Sequence, residues 1–216
     1  MKPRLSQKHN AAMTLFEVGV VVAVVLILAV IFLSRTASSY SPEAVCIMNL
    51  KQVGLSFKLW ADDNSDIYPM GISVTNGGSM ELGATGNVLA TFLVMSNELS
   101  TPRILFCPAD MRRVSAVNFY AGVTGSNVSY FVSADMTNDA NPQMIVTGDS
   151  DWMLGGKNLK PGLISLWTND PVAWGNRHPN SEHLGLADGS VQTVTTANLR
   201  HQLKQAGPAT NRFALP

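Results

Sequence analysis

The chain has 216 residues, which suits one globular domain of ordinary size and one additional segment such as a membrane anchor. Its 15 basic residues balance its 15 acidic residues, so the formal net charge is zero. Proteins that bind nucleic acid usually carry a clustered basic excess, and this composition therefore excludes nucleic acid as the expected partner.

The amino-terminal segment joins a basic leader to a long apolar run. Lys2, Arg4 and Lys8 precede residues 18–33, which contain no charged residue. The 21 residues from 13 to 33 would form a helix of about 31 Å, close to the hydrocarbon thickness of a bilayer. We therefore predict a transmembrane helix over residues 13–33. Basic residues favour the cytoplasmic side of a membrane, which predicts a cytoplasmic leader and an external domain.

Three interpretations of this segment compete. A secretory signal peptide would have a shorter apolar core and a cleavage site of small residues after it, whereas Arg35 places a charge there. A plain signal anchor fits the hydropathy but leaves Glu17 unexplained, because a carboxylate at the start of a membrane span is costly. A signal cleaved before the apolar run accounts for Glu17, because the new amino group can pair with the carboxylate of a neighbouring subunit.

The residues from Ala12 to Glu17, Ala-Met-Thr-Leu-Phe-Glu, resemble the cleavage signal of type IV prepilins. Members of that family usually have Gly before the cut and Glu at the fifth position of the mature chain. The resemblance implies cleavage between Ala12 and Met13 by a prepilin peptidase, N-methylation of Met13, and a role of Glu17 in assembly. Ala12 departs from the usual Gly, so the efficiency of cleavage stays open.

A connector and a second helix are predicted after the apolar run. Residues 34–42 are small and polar, and Pro42 disfavours a helical conformation at the residue before it. From Glu43 to about Ala61, apolar residues recur at spacings of 3 or 4, which predicts a helix with one face on a domain core. The residues of this face are Cys46, Leu50, Val53, Phe57 and Trp60.

Residues 43–216 are predicted to form one extracytoplasmic domain. The clearest strand signal is a hairpin around Asp188-Gly189, a preferred two-residue turn, flanked by residues 183–187 and 190–194. An amphipathic helix from about Thr196 to Gln205 should follow. Weaker patterns predict strands at residues 104–106, 128–133 and 144–147, and a short helix or strand at residues 88–95.

The expected fold class is α+β. A long N-terminal helix, with a transmembrane half and an amphipathic half, would pack on a small antiparallel β-sheet, as in pilin-like proteins. The leader would comprise residues 1–12, the membrane helix residues 13–33, the connector residues 34–42 and the domain residues 43–216.

The two cysteines, Cys46 and Cys107, lie on the same side of the apolar run and would share one compartment. An even number of cysteines in an exported chain permits a disulfide, and two free buried thiols are the alternative. A bridge that closes a loop of about 60 residues would stabilise the domain by on the order of 4 kcal/mol.

A narrower resemblance covers the middle and the end of the chain. The stretch from Cys46 to Pro69 is similar to the opening of a group of pilin-like proteins. The same group has a Cys-Pro-x-Asp segment, matched by residues 107–110, and a final His-x9-Asp-Gly motif, matched by His178, Asp188 and Gly189. A structural role is expected for these three motif residues, with His178 bonded to backbone near the hairpin.

The resemblance implies a structural subunit, a pilin or pseudopilin of a type II secretion or type IV pilus-like filament. The implied partners are like subunits or other pseudopilins, a prepilin peptidase, the inner-membrane assembly machinery and the lipid bilayer. The implied location is the bacterial inner membrane, crossed once, with the domain periplasmic or extracellular. A non-polymerising anchored binding module is the first alternative, and a metal-dependent enzyme using His178 and Asp188 is the second.

The sequence predicts no enzyme and no cofactor. It contains neither a His-Glu-x-x-His motif nor a Gly-x-Ser-x-Gly elbow, so no catalytic residue is assigned. Calcium is considered because some major pseudopilins hold it, and Asp149, Asp151 and Asp188 offer hard oxygen ligands. The turn already explains Asp188, however, and the other two carboxylates are compatible with simple solvation, so no metal site is assigned.

Overall fold

The structure, a computed structural model, describes residues 14–33, 41–138, 141–178, 181–207 and 209–216. The predicted leader over residues 1–12, the cleavage-site residues Ala12 and Met13, and connector residues 34–40 lie outside the described residues. The chain divides into two compact units, Met1–Ser39 and Tyr40–Pro216.

The first unit contains helix α1, Leu15–Leu33, which is almost entirely aliphatic. Across the described ranges, no helix combines the length and apolar character that a membrane crossing requires. This finding corrects the predictions of a transmembrane helix over residues 13–33 and of a single-pass inner-membrane protein. The helix begins two residues later than predicted, and its described side chains end at Ile31.

The second unit begins with helix α2, Pro42–Asp62. Ser41 adopts an extended conformation and caps the helix, its Oγ accepting a hydrogen bond from Ala44 N at 3.2 Å, and Pro42 occupies the first helical position. The predicted apolar face is confirmed, since all five of its residues are buried. The expected long N-terminal helix with a transmembrane half is wrong, because no helix of the described ranges is long and apolar enough to cross a membrane.

The remaining helices of the described residues are short, except the last. They are α3 (Met80–Ala84), α4 (Val88–Val94), α5 (Ser96–Leu99) and α6 (Thr196–Gln205). The bounds predicted for α6 are confirmed. Single 3-10 turns occupy Pro69–Gly71, Val74–Asn76, Pro102–Leu105 and Gly125–Asn127, so the strand predicted at residues 104–106 is wrong.

The described strands form two antiparallel sheets rather than the single small sheet expected. Their bounds are β1 Tyr130–Ser133, β2 Ile145–Asp149, β3 Trp152–Leu154, β4 Lys157–Asn158, β5 Gly162–Trp167, β6 Val172–Trp174, β7 Ser181–Leu186, β8 Val191–Thr195 and β9 Thr210–Leu215. The larger sheet has six strands in the order β5-β9-β1-β2-β7-β8, and the smaller has three in the order β4-β3-β6.

Both faces of the larger sheet are covered, which explains why every residue of β1 is buried. Successive side chains of a strand point to opposite faces. Tyr130 and Val132 accordingly pack with the apolar face of α2, whereas Phe131 packs in a second cluster. That second cluster contains side chains of α6 and of the smaller sheet, among them Leu199 and Trp152.

The predicted hairpin is present as β7 and β8, but its loop differs from the prediction. Gly185 pairs with Val191, and Leu186 N donates to Ser190 O at 2.9 Å, which leaves three loop residues rather than two. Gly189 ends the loop at a φ of 83°, the left-handed conformation that a glycine adopts without strain.

Candidate functional site

Helix α1 exposes apolar side chains around its whole circumference within the first unit. Leu15 is 92 % exposed, and the large aliphatic residues from Val18 to Ile31 are each close to half exposed or more. Contiguous apolar surfaces of this extent are typical of interaction sites, because monomeric soluble proteins rarely expose them.

Glu17 is the one acidic residue in the first turn of α1. Thr14, just before the helix, donates hydrogen bonds to its carboxylate. Glu17 Oε2 accepts hydrogen bonds from Thr14 N at 2.8 Å and from Thr14 Oγ1 at 3.0 Å, while Glu17 N donates to Thr14 Oγ1 at 3.3 Å. This reciprocal pattern is a capping box. The backbone hydrogen bond from Thr14 lowers the pKa of Glu17 below its usual value. Helix capping is therefore a second explanation for Glu17, one that the sequence analysis missed.

The predicted disulfide between Cys46 and Cys107 is confirmed. The bridge joins α2 to the segment after the Pro102–Leu105 turn, and both cysteines are fully buried. Asn49 strengthens the same junction by donating from Nδ2 to Phe106 O at 2.8 Å, one helical turn after Cys46. The bridge thus fixes the start of α2 against the loop that leads into β1.

A buried cation lies beside this disulfide. The side chain of Arg177 is 2 % exposed and makes ion pairs with Asp110 (Nη2–Oδ2, 2.8 Å) and Asp149 (Nη1–Oδ1, 3.2 Å). Arg177 Nη1 also donates to Ser129 O at 2.9 Å. Two carboxylates with 1 % and 0 % side-chain exposure therefore share one guanidinium, whose planar fork suits this double contact.

His178 lies between the disulfide and the buried carboxylates. Its Nε2 is 3.5 Å from Cys107 Sγ, 3.7 Å from Asp149 Oδ2 and 3.8 Å from Glu182 Oε2. Its backbone N donates to Glu182 Oε1 at 3.2 Å. The expectation that His178 would contact backbone at the hairpin is therefore replaced by side-chain contacts within a buried cluster.

His183 is the last member of the cluster. Its neighbours lie on three adjacent strands, β2, β7 and β8. Within β7, His183 lies directly opposite Thr193 of β8, and its Nδ1 is 3.3 Å from Thr193 Oγ1. Its backbone N donates at 2.9 Å to Oδ2 of Asp149, the last residue of β2. The rings of His183 and His178 lie 4.8 Å apart.

Burial determines the protonation of this cluster. Burial, followed by the negative charge of Asp149, raises the pKa of Glu182 to about 9, with Arg177 acting in the opposite direction. Glu182 is therefore neutral at physiological pH. Burial also lowers the pKa of His183, against the attraction of Asp149, so its ring is neutral as well.

An open cleft of about 450 Å³ borders the buried cation. Asp110, Arg112, Asp151 and Arg177 line it, with Arg112 Nη2 donating to Asp151 Oδ1 at 3.0 Å. A Cβ at Gly175 would clash with the Asp151 carboxylate, so a larger residue there would displace that side chain. The charged groups of the cleft are paired with one another.

The residues of the predicted motif are not all brought together. Asp188 Oδ1 accepts a hydrogen bond from Ser190 N at 2.8 Å within the hairpin loop. Asp188 and Gly189 therefore stabilise the turn and are not part of the His178 cluster. The three carboxylates considered for calcium are likewise separated in role. Asp149 pairs with Arg177 and Asp151 with Arg112, and none of the metal-capable groups among the described residues contains Asp188.

Sequence reasoning missed several residues of this site. Arg177 adjoins His178 in the chain but belongs to no recognisable motif. The contact between Glu182 and His178 was not predicted either. Asp110 belongs to the Cys-Pro-x-Asp segment. Its place three residues after Cys107 was the signal from which its position near the disulfide could have been predicted. Of the predicted site residues, Cys46, Cys107 and His178 meet in space, whereas Glu17 belongs to the other compact unit.

No protein-family model, no curated protein and no solved structure matches the chain. The prediction that the chain is a pilin-like component of protein secretion therefore gains no support from known proteins, and the chain is not assigned to protein secretion.

Proposed function

We propose that the chain is a structural subunit that assembles into a pilin-like filament through helix α1. The observation that carries this proposal is the apolar surface of α1, which is exposed around the helix from Leu15 to Ile31. Packing such a surface against the same surface of other subunits removes it from water, at roughly 25 cal/mol per Å² of buried apolar area. The proposed partners are therefore other copies of this chain or similar subunits.

The charge of Glu17 supports the same proposal. A carboxylate enclosed by apolar helices is unfavourable unless it meets a positive charge. In the proposed assembly, a prepilin peptidase cuts before Met13, and the new amino group of one subunit pairs with Glu17 of a neighbour. A head-to-tail contact of this kind does not close on itself, so it generates a helical array.

The compact domain, Tyr40–Pro216, supports a structural role as well. Its charged cluster is buried and internally paired, and a disulfide fixes its first helix to the following loop. These features favour a rigid module that is displayed by an assembly. The proposed division of labour is that α1 assembles and the domain forms the exterior.

A matched pair of substitutions tests the proposal. Val24 lies within α1 and is 49 % exposed, and Val117 lies in an irregular segment of the domain and is 68 % exposed. In cells that make the chain with its own processing and assembly proteins, Val24→Asp should abolish recovery of filaments sheared from the surface. The reason is that an unpaired carboxylate would be enclosed among apolar helices. Val117→Asp should assemble like the wild type.

Equal filament recovery from both variants would contradict the proposal. The mass of the mature amino terminus separates it from the alternative of a binding module that does not polymerise. A chain that begins at Met13 agrees with the proposal, and a chain that retains residues 1–12 favours the alternative.

A further inference from the structure

The cluster around His183 has the composition and spacing of a metal site. Asp149 and His183 are 0 % exposed and His178 is 2 % exposed. One ligand atom from each of these residues lies within 4.8 Å of the other two. Two imidazole nitrogens and one carboxylate oxygen form a ligand set that zinc takes in proteins. Small side-chain adjustments would bring the three atoms to a common ion.

Two buried atoms in the cluster make no hydrogen bond within the described structure. They are Nε2 of His183 and Oε2 of Glu182, and both residues are 0 % exposed. A buried polar atom without a partner is costly, and natural domains contain few of them. Of the two, Nε2 of His183 belongs to a residue that shares a metal-capable group with Asp149 and His178, and a cation bound there would satisfy it.

The surroundings orient the ligands as in known metal sites. When His183 Nδ1 donates its proton to Thr193 Oγ1, 3.3 Å away, Nε2 retains the lone pair that a metal requires. Asp149 Oδ1 accepts from Arg177 Nη1 at 3.2 Å, which fixes the carboxylate while Oδ2 faces His178 at 3.7 Å. Hydrogen bonds of this kind to the far atoms of the ligands hold them in place for the ion.

We propose that Asp149, His178 and His183 bind one Zn²⁺ inside the domain. Three protein ligands leave the fourth position of a tetrahedral zinc ion to a water molecule. The proposal concerns the domain alone and does not depend on filament assembly.

A second metal-capable group shares one ligand with this site. Cys46, Cys107 and His178 also lie within reach of a common ion, but the two sulfurs are bonded to each other. A disulfide sulfur is not a thiolate, and only the thiolate is a strong metal ligand. The oxidised domain should therefore bind zinc through His178 together with Asp149 and His183. In the reduced domain, His178 could instead bind the ion together with the two cysteine thiolates.

Zinc binding to the full chain tests the proposal. The untagged, oxidised protein would be kept in a mild detergent that covers α1, stripped with a chelator, dialysed, and titrated with zinc chloride in a calorimeter. We expect one zinc ion per chain. His183→Gln should weaken the affinity by more than about 10-fold, because removing a ligand costs at least as much as removing a group that orients one. His201→Gln, which changes an exposed histidine of α6, should leave binding unchanged.

Cobalt provides a readout that survives misfolding of a variant. Near-UV circular dichroism would establish whether His183→Gln is folded. If the variant is not folded, the visible spectrum of the Co²⁺-loaded wild type tests the proposed ligands instead. Tetrahedral nitrogen and oxygen ligation without a thiolate charge-transfer band supports the proposal. Absence of stoichiometric zinc in the folded wild type, or undiminished binding by folded His183→Gln, would overturn it. Binding that appears only after reduction by a dithiol, with a thiolate band, would also overturn it.

Discussion

Helix α1 and the domain over residues 40–216 place apolar and charged side chains in opposite ways. In α1, aliphatic side chains are exposed, and the carboxylate of Glu17 is satisfied by its own helix terminus. In the domain, apolar residues fill two clusters, and Arg177, Asp110 and Asp149 are enclosed with them. The domain buries its large apolar side chains within itself, whereas α1 leaves its own exposed, and this difference is the basis of the proposed assembly through α1.

The largest effect expected in the domain follows removal of its buried cation. Arg177→Ala would leave Asp149 enclosed without its arginine and Asp110 paired only with Arg112 and Arg113. Breaking a buried pair in this way costs about 3–5 kcal/mol. Arg212→Ala is the matched control, because that arginine pairs with Asp135 but its side chain is 45 % exposed. The control should cost about 0–1 kcal/mol.

Urea unfolding followed by tryptophan fluorescence measures both values for the full chain in detergent. Equal losses for the two arginine variants would show that burial of the charge contributes nothing to the stability of the domain.

Loss of the disulfide should have the next largest effect. The bridge between Cys46 and Cys107 spans 61 positions, and its removal frees a long loop in the unfolded state. Cys46→Ser combined with Cys107→Ser should lower the free energy of unfolding by about 2–4 kcal/mol. A dithiol reductant added to the wild type should give a similar loss and should not affect the double variant. An unchanged urea midpoint in the double variant would contradict this expectation.

A third effect depends on pH, and its size per pH unit is smaller than the two losses above. The folded chain holds a proton on Glu182 up to a pKa of about 9, whereas the unfolded chain releases it near 4.5. The stabilisation from this proton is complete below the lower value and is lost as the pH rises toward the higher one. Between the two values, each pH unit should therefore lower the free energy of unfolding by up to about 1.4 kcal/mol.

Glu182→Gln isolates this contribution, because the amide stays neutral and still donates a hydrogen bond. With a chelator present to remove metal ions, the wild type should lose stability with rising pH more steeply than the variant. Parallel stability curves for the two proteins from pH 5 to pH 9 would show that Glu182 is ionised in the folded chain.

Local patterns predicted the elements whose formation depends on their own residues. The apolar spacing of α2 and the amphipathic pattern of α6 gave nearly correct bounds, since one face of each helix packs on the core. The loop of the β7–β8 hairpin was predicted one residue too short. The physical reason is tertiary, because Ala187 N donates to Met144 O at 2.9 Å and thus leaves the hairpin register.

Elements that depend on distant partners could not be predicted. Strand β9 lies between β5 and β1 in the larger sheet, and nothing in its own six residues specifies those neighbours. The buried cluster was missed for the same reason. Arg177 meets Asp110 only after the sheet has formed, and a sequence pattern shows neither the pairing nor the burial. The membrane prediction was wrong, because α1 begins only at Leu15 and no helix of the described residues is long and apolar enough to cross a membrane.

The central claim is that the charge of Glu17 acts between subunits, and two substitutions at this position test it most directly. Glu17→Gln retains the capping box, because Gln also accepts from Thr14 N, but removes the charge. Glu17→Ala removes both. The measurement is the amount of filament recovered from cells that carry the chain's own assembly proteins. The proposal predicts that Gln impairs assembly as severely as Ala, whereas wild-type recovery with Gln and loss only with Ala would show that Glu17 merely caps α1.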